Sequence, residues 1–185
     1  MKTLLLLLLL LLGRAARAQQ DRAPYAFSPL PLDSVTRRVA YAGAVAVDGA
    51  SKYELLARAQ HWLLQRLSAY QVSAHQSCPE SGALRLRGQF KNGQESFGFQ
   101  LAVSVGDGRY AYRLDKVTYT YLSQARQGKY SLPGPVTTAI ETVVYARPGK
   151  SRNKQLNGLD ARVKGLLQEL NNAVQYPPVC PTTQW

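Results

Sequence analysis

The residue types that carry chemistry are few here, and they are spread along the chain. Two histidines are present, His61 and His75, 14 positions apart across a break in structure; metal sites use much shorter ligand spacings. A catalytic base needs a nucleophile and an orienting acid beside it, and no serine stands in a glycine-flanked elbow. Both histidines therefore read as structural or solvent-facing. Gly149-Lys150-Ser151 matches the end of a phosphate-binding loop, but the earlier glycine that loop requires falls on Val144. Gly106 and Gly108 flank a tight turn and need no other explanation. The 11 carboxylates are scattered, with no pair spaced for acid–base work. Glu141, between Ile140 and Val143, is the most unusual of them and reads as an exposed position in an alternating run. These observations point away from an enzyme.

One constellation remains: Arg85, Arg87, Arg109 and Arg113, with Gln100 between them. Guanidinium groups form paired hydrogen bonds to carboxylate or phosphate. Whether these four act together depends on the strands that carry them. Asn92-Gly93 is a strong hairpin signal, and counting outward pairs Leu86 with Phe99 and Leu84 with Leu101 on one face. The same count pairs Arg85 with Gln100 and Arg87 with Gly98 on the other. Asp107-Gly108 makes a second hairpin that pairs Val105 with Tyr110, Val103 with Tyr112 and Leu101 with Leu114. The two turns agree about the apolar face, so the arginines project from the opposite one. Gly98, Ala102 and Ser104 leave a shallow trough between them. The plain alternative is a solvated sheet face, on which polar residues are expected anyway.

Other elements must cover the apolar side. Arg37 to Val47 alternates as a strand. Ser51 and Glu54 form a capping box ahead of a helix from Lys52 to about Tyr70, with Leu55, Leu56, Ala59, Trp62, Leu63, Leu67 and Tyr70 on one stripe. After Leu114 the alternation changes phase. A β-bulge near Asp115-Lys116 would return Val117, Tyr119 and Tyr121 to the core, and otherwise they lie on the opposite face; the bulge is the expectation. Residues 123–154 read as a long loop, within which Val136 to Ala146 is β-branched enough for an extra strand. Leu156, Leu159, Val163, Leu166, Leu167, Leu170 and Val174 make a second helical stripe, stopped by Pro177-Pro178. The implied architecture is one α+β domain over 35–176, an antiparallel curved sheet of about five strands with two helices on one face.

The ends complete the organisation. Lys2, nine leucines from Leu4 to Leu12, and Ala16-Arg17-Ala18 have the three parts of a cleaved secretory signal over 1–18, with a leucine run too short to span a bilayer. Export to the periplasm or beyond is the expectation, with cleavage near Ala18 and no transmembrane segment in the mature chain. Residues 19–34 are punctuated by Pro24, Pro29 and Pro31 and read as an extended linker; 177–185 form a tail. Without Lys2, Arg14 and Arg17, the 23 basic residues become 20 against 11 acidic ones. An exported basic protein meets acidic envelope components (anionic lipid, glycan or protein) rather than nucleic acid. Cys78 and Cys180 both lie in mature sequence, where a disulfide is permitted; it would close a loop of about 100 residues, which chain entropy values at roughly 4.7 kcal/mol. No cofactor motif is present.

Three stretches in combination resemble a known family. They are Val39-Ala40-Tyr41-Ala42-Gly43 through Asp48-Gly49-Ala50-Ser51-Lys52, the helical Arg58-Ala59-Gln60-His61-Trp62-Leu63, and Asp107-Gly108-Arg109-Tyr110-Ala111-Tyr112-Arg113. Together they are similar to the bacterial domain of unknown function 4468, over about residues 35–121 and more loosely the last helix. The resemblance implies a TBP-like fold, a curved sheet backed by two helices. It implies no activity and no site residues, and a shared shape does not license DNA binding. The functional expectation is an exported, non-enzymatic binding module presenting an arginine-lined face to anionic partners. The alternative is a structural envelope component recognised through its linker or the 123–154 loop, and an enzyme ranks last.

Overall fold

A computed structural model describes residues 28–123 and 134–176. The leader, residues 19–27 of the linker, Cys180 and the rest of the tail lie outside the described residues. Among the described residues no helix is long and apolar enough to cross a membrane.

The elements in chain order are β1 (Tyr41–Ala46), α1 (Lys52–Arg66), β2 (Ala74–Cys78), β3 (Ala83–Asn92), β4 (Glu95–Gly106), β5 (Arg109–Ser123), β6 (Gly134–Ala139), α2 (Ile140–Val144) and α3 (Lys150–Gln175). The strands form one antiparallel sheet in the order β1-β5-β4-β3-β2, with β6 also pairing β5. β5 is long enough to hold both neighbours: its first half pairs β1 and its second half β6.

The structure has the α+β fold expected, with six strands rather than about five and a short third helix. The span read as a loop, 123–154, contains β6, α2 and the start of α3. Its β-branched run splits: Val136 to Ala139 is strand, and Ile140 turns the chain into helix. Glu141 is correspondingly not an exposed strand position. It sits in the first turn of α2, where its carboxylate accepts the Val39 N–H at 2.8 Å. The linker reading fails for residues 28–34, which lie on the domain: Leu30 is buried in the core and Leu32 bridges Val39.

Both long helices pack on the apolar face. α1 buries Leu55, Leu56, Ala59, Trp62 and Leu63. Only half of its capping box forms, because Ser51 Oγ accepts the Glu54 N–H at 3.3 Å while the Glu54 carboxylate turns to Arg58 instead. α3 buries all seven stripe positions read from the sequence. Hydroxyls on the sheet and after α1 fasten it: Tyr41 donates to Asp160 at 2.9 Å, Tyr70 to Glu169 at 2.7 Å and Tyr110 to Asn171 at 2.6 Å. Each tyrosine thus contributes ring area to the core and finds an acceptor for its polar tip. Burial, and secondarily the Tyr112 phenol, pushes the Tyr110 pKa up to about 12. At the start of α3, the buried Arg152 guanidinium donates to the Val143 carbonyl at 2.8 Å and to that of Val144, closing the end of α2.

The register settles which face each strand residue joins. β4 and β5 pair as expected, Val105 with Tyr110 and Leu101 with Leu114. β3 and β4 pair two residues further along than expected, because Asn92 faces Glu95 and the turn is Gly93-Gln94, with Gly93 at φ 63°. Leu86 therefore pairs with Leu101, Arg85 with Ala102 and Arg87 with Gln100. A shift of two leaves every side chain on its face, where a shift of one would have inverted them. The bulge lies where the phase changes. Gln100 pairs with Asp115 and Gly98 with Thr118, so Lys116 and Val117 stand opposite Phe99. Val117 and Tyr119 return to the core, and Tyr121 packs against its edge.

Candidate functional site

The sheet face turned away from the helices carries the arginines in a readable grid. One row runs Ala42, Arg113, Ala102, Arg85, Gln76 across β1, β5, β4, β3 and β2. The next runs Asp115, Gln100, Arg87, Ala74. Ala102 and Ser104 make low ground between the arginines, as the sequence implied, and alanines 42, 44, 83 and 111 extend it. None of these residues is fully buried.

The arginines read from the sequence share this face but not one role. Arg113 is occupied, its Nε donating to Asp115 at 3.0 Å and its Nη2 to Asp33 at 3.3 Å. Those carboxylates, Asp115 first, raise its pKa further. Asp33 is itself held by the Thr36 N–H at 2.8 Å and the Val35 N–H at 3.1 Å. The Thr36 bonds, then Val35 and Arg113, lower its pKa to about 2. Arg109 stands at the far end, opposite Gly106 and Ala46. Arg85 and Arg87 are exposed, and among the described residues neither they nor Arg109 has a carboxylate within ion-pair reach.

Arg87 and Gln100 form the shared wall of two hollows. The larger, 410 Å³, is lined by Gln71, Ser73, Arg87, Gln89, Gly98, Gln100, Lys116 and Thr118, together with Gly88 and Phe99. The smaller, 350 Å³, lies between Ala74, Gln76, Arg85, Arg87 and Gln100, with His75 and Leu86 at its edge. Gly98 is the low point of the first: a Cβ there would stand 2.6 Å from Thr118 Oγ1.

Lys116, which the sequence reading did not single out, lines the larger hollow. Its position was legible as a bulge, but its part in the face was not. Its backbone is left-handed, φ 51°, a conformation that bulges of this kind usually give to glycine. The Gln71 backbone, at φ 41°, is left-handed too, in the turn after α1.

A hollow of 520 Å³ elsewhere, between β1 and α3, is lined by Pro31, Val45, Tyr112 and Leu167 among others, including Gln168 and Asn171; its lysine, Lys164, is tied to Asp160 at 2.7 Å. It offers no free charge. Cys78 lies at the end of β2, where hydrogen bonds from the Ser81 side chain first, then from its backbone, lower the thiol pKa. Among the described residues, no three His, Cys, Asp or Glu side chains converge as metal ligands.

No family model and no curated protein matches the chain. Solved structures do. A TBP-like protein from Parabacteroides distasonis superposes with TM-score 0.62 at 18% identity, over 79% of this chain and 97% of that one. A DUF4468 family protein from Bacteroides ovatus superposes with TM-score 0.59 at 13% identity, over 82% and 94%. The chain therefore shares the TBP-like fold, as the resemblance in its sequence implied.

Proposed function

We propose that this protein is an exported, non-enzymatic binding module whose uncovered sheet face receives anionic partners. The observation that carries the reading is the pair Arg85 and Arg87, exposed on one strand with no carboxylate among the described residues to neutralise them. Alternate residues of a strand lie about 7 Å apart, and two bare charges at that distance repel by about 0.6 kcal/mol even in water. The neighbouring Arg113 shows the other arrangement, in which the fold supplies its own carboxylates. Two of three central arginines without an ion pair among the described residues, over a floor of alanine and glycine, suit a surface that takes its counter-charge from outside. Export rests on the leader, with its basic start, leucine run and Ala16-Arg17-Ala18 end.

The test is retention of the mature protein on polygalacturonate, polyglutamate and phosphatidylglycerol vesicles at graded salt. Arg85→Glu/Arg87→Glu is compared with Lys150→Glu/Lys154→Glu, which makes the same change of net charge on exposed positions of α3. The first pair should abolish retention on at least one matrix and the second should weaken it only slightly. Equal loss from both would reduce the effect to net charge and defeat the reading.

A further inference from the structure

The larger hollow is built in a way that simple anion capture does not require. The described residues contain three non-glycine positions with left-handed backbone, Arg37, Gln71 and Lys116. Two of the three, Gln71 and Lys116, line this one hollow, although they come from different elements 45 positions apart. Such backbone costs of order 1–3 kcal/mol per residue and persists where the surroundings over-determine it, which happens disproportionately at binding sites. Glycine would fill the bulge position without that cost. Lysine there adds a cation beside Arg87, and no described carboxylate neutralises it.

The rest of the lining is uncharged: Gly88, Gly98 and Phe99 supply apolar surface, and the remaining side chains can hydrogen-bond. Three carboxamides (Gln71, Gln89, Gln100) and two hydroxyls (Ser73, Thr118) surround the two cations. Gln89 Nε2 donates to Gln71 Oε1 at 2.6 Å, which orients both amides and leaves the Gln71 nitrogen as donor and the Gln89 oxygen as acceptor. The hollow thus has both a free amide donor and a free amide acceptor, and a hydroxyl can use either. None of the large exposed apolar side chains (Val35, Tyr53, Leu64, Leu122, Tyr145, Tyr176) lines either hollow. The one aromatic residue of the larger hollow, Phe99, is buried in the core, so among the described residues it has no exposed aromatic anchor of a protein interface and no exposed large apolar side chain to enter a bilayer. Its 410 Å³ falls in the small-ligand range. The second hollow continues it past Arg87 with another arginine, Arg85.

We infer that this groove binds an acidic saccharide: a sugar whose carboxylate or phosphate lies between Arg87 and Lys116 and whose hydroxyls meet Gln71, Gln89, Gln100 and Thr118. A second acidic ring would reach Arg85. The assignment rests on the anion-binding reading and narrows it to one ligand class.

The experiment titrates mature protein by calorimetry and by amide NMR with digalacturonate, glucose 6-phosphate, uncharged galactobiose and tetraglutamate. Saturable binding of digalacturonate or glucose 6-phosphate, with shifts at Gln71, Gln89, Gln100 and Lys116, is the expected result; whichever binds identifies the anionic group. Lys116→Ala should weaken that binding at least tenfold, and Lys116→Arg should restore most of it. Galactobiose should bind at least a hundredfold more weakly. Tetraglutamate binding that depends on Arg85 and Arg87 but is indifferent to Lys116→Ala would overturn the saccharide assignment and leave the anion-binding module standing. Binding of none of the four, with retention on every anionic matrix also absent, would overturn both.

Discussion

Lys116 stands at φ 51° in the bulge of β5, with an exposed side chain. Its cost to the fold can be separated from its charge by comparing Lys116→Gly with Lys116→Ala. Both remove the cation. Alanine keeps the Cβ that crowds the carbonyl in left-handed backbone, a strain of about 1–2 kcal/mol; glycine removes it but gives back about 0.5–1 kcal/mol of unfolded-chain entropy. The glycine variant should thus be more stable than the alanine variant by about 0.5–1 kcal/mol. In a domain of this size that is a Tm higher by about 1–4 °C. Lysine itself should fall close to alanine, since its exposed side chain changes little. Urea denaturation of the three proteins, with equal m-values, is the assay. If glycine is less stable than alanine by its full entropy cost of about 0.5–1 kcal/mol, the bulge holds no strain, and the argument that lysine occupies it at the expense of stability fails. If glycine is more stable and also loses the saccharide, stability and binding oppose each other at one residue.

Three further perturbations probe the framework that holds the face. Tyr110→Phe deletes the hydroxyl 2.6 Å from Asn171 Oδ1 and should cost about 1–2 kcal/mol in urea denaturation, since the partner acceptor is left unpaired; Asn171→Ala in the same background should add little. Arg152→Met keeps an apolar stem but uncaps two carbonyls of α2, for a loss of about 2–4 kcal/mol together with faster amide exchange over residues 143–146. Asp33 has its folded pKa depressed to about 2 from an ordinary 3.8, so its contribution is complete above the ordinary value and disappears as pH falls through the folded one. Asp33→Asn should therefore lower the urea midpoint by a constant amount above about pH 5, the gap closing between pH 3.8 and about 2. A gap unchanged across that window would mean that the carboxylate charge contributes nothing.

What could be read from the sequence was parity rather than position. Alternation tells which face a strand residue joins, and any even error leaves that unchanged. The β3–β4 register was therefore two residues out while every arginine was still assigned to the correct side. The Asp107-Gly108 turn gave its register correctly because those two residues are themselves the loop; Asn92-Gly93 did not, because the loop there is Gly93-Gln94. Helix stripes were legible for the same local reason, and α3 buries all seven of its expected positions. The capping box was half legible, since its glutamate had a competing partner one turn along, Arg58.

Facts that depend on distant parts of the chain had no local signature. Arg113 is neutralised in part by Asp33, 80 positions earlier in a stretch whose prolines suggested a linker. Gln71 reaches the hollow because α1 ends at Arg66, short of the Tyr70 that its apolar stripe suggested, and a turn carries the chain back along the edge of β3, where the Gln89 N–H donates to the Tyr70 carbonyl and the Ser73 N–H to that of Arg87. Lys116 shows the limit most plainly. The phase change after Leu114 required an extra residue near it, and hydrophobic pattern alone could show that Val117 and Tyr119 must return to the core. Pattern is silent about what the inserted residue does, because a residue that pairs with nothing has no period. Yet the insertion that restores the core is the one that places a cation beside Arg87. The fold and the proposed site thus depend on the same kink, and a glycine, which would satisfy the first, would leave the second empty.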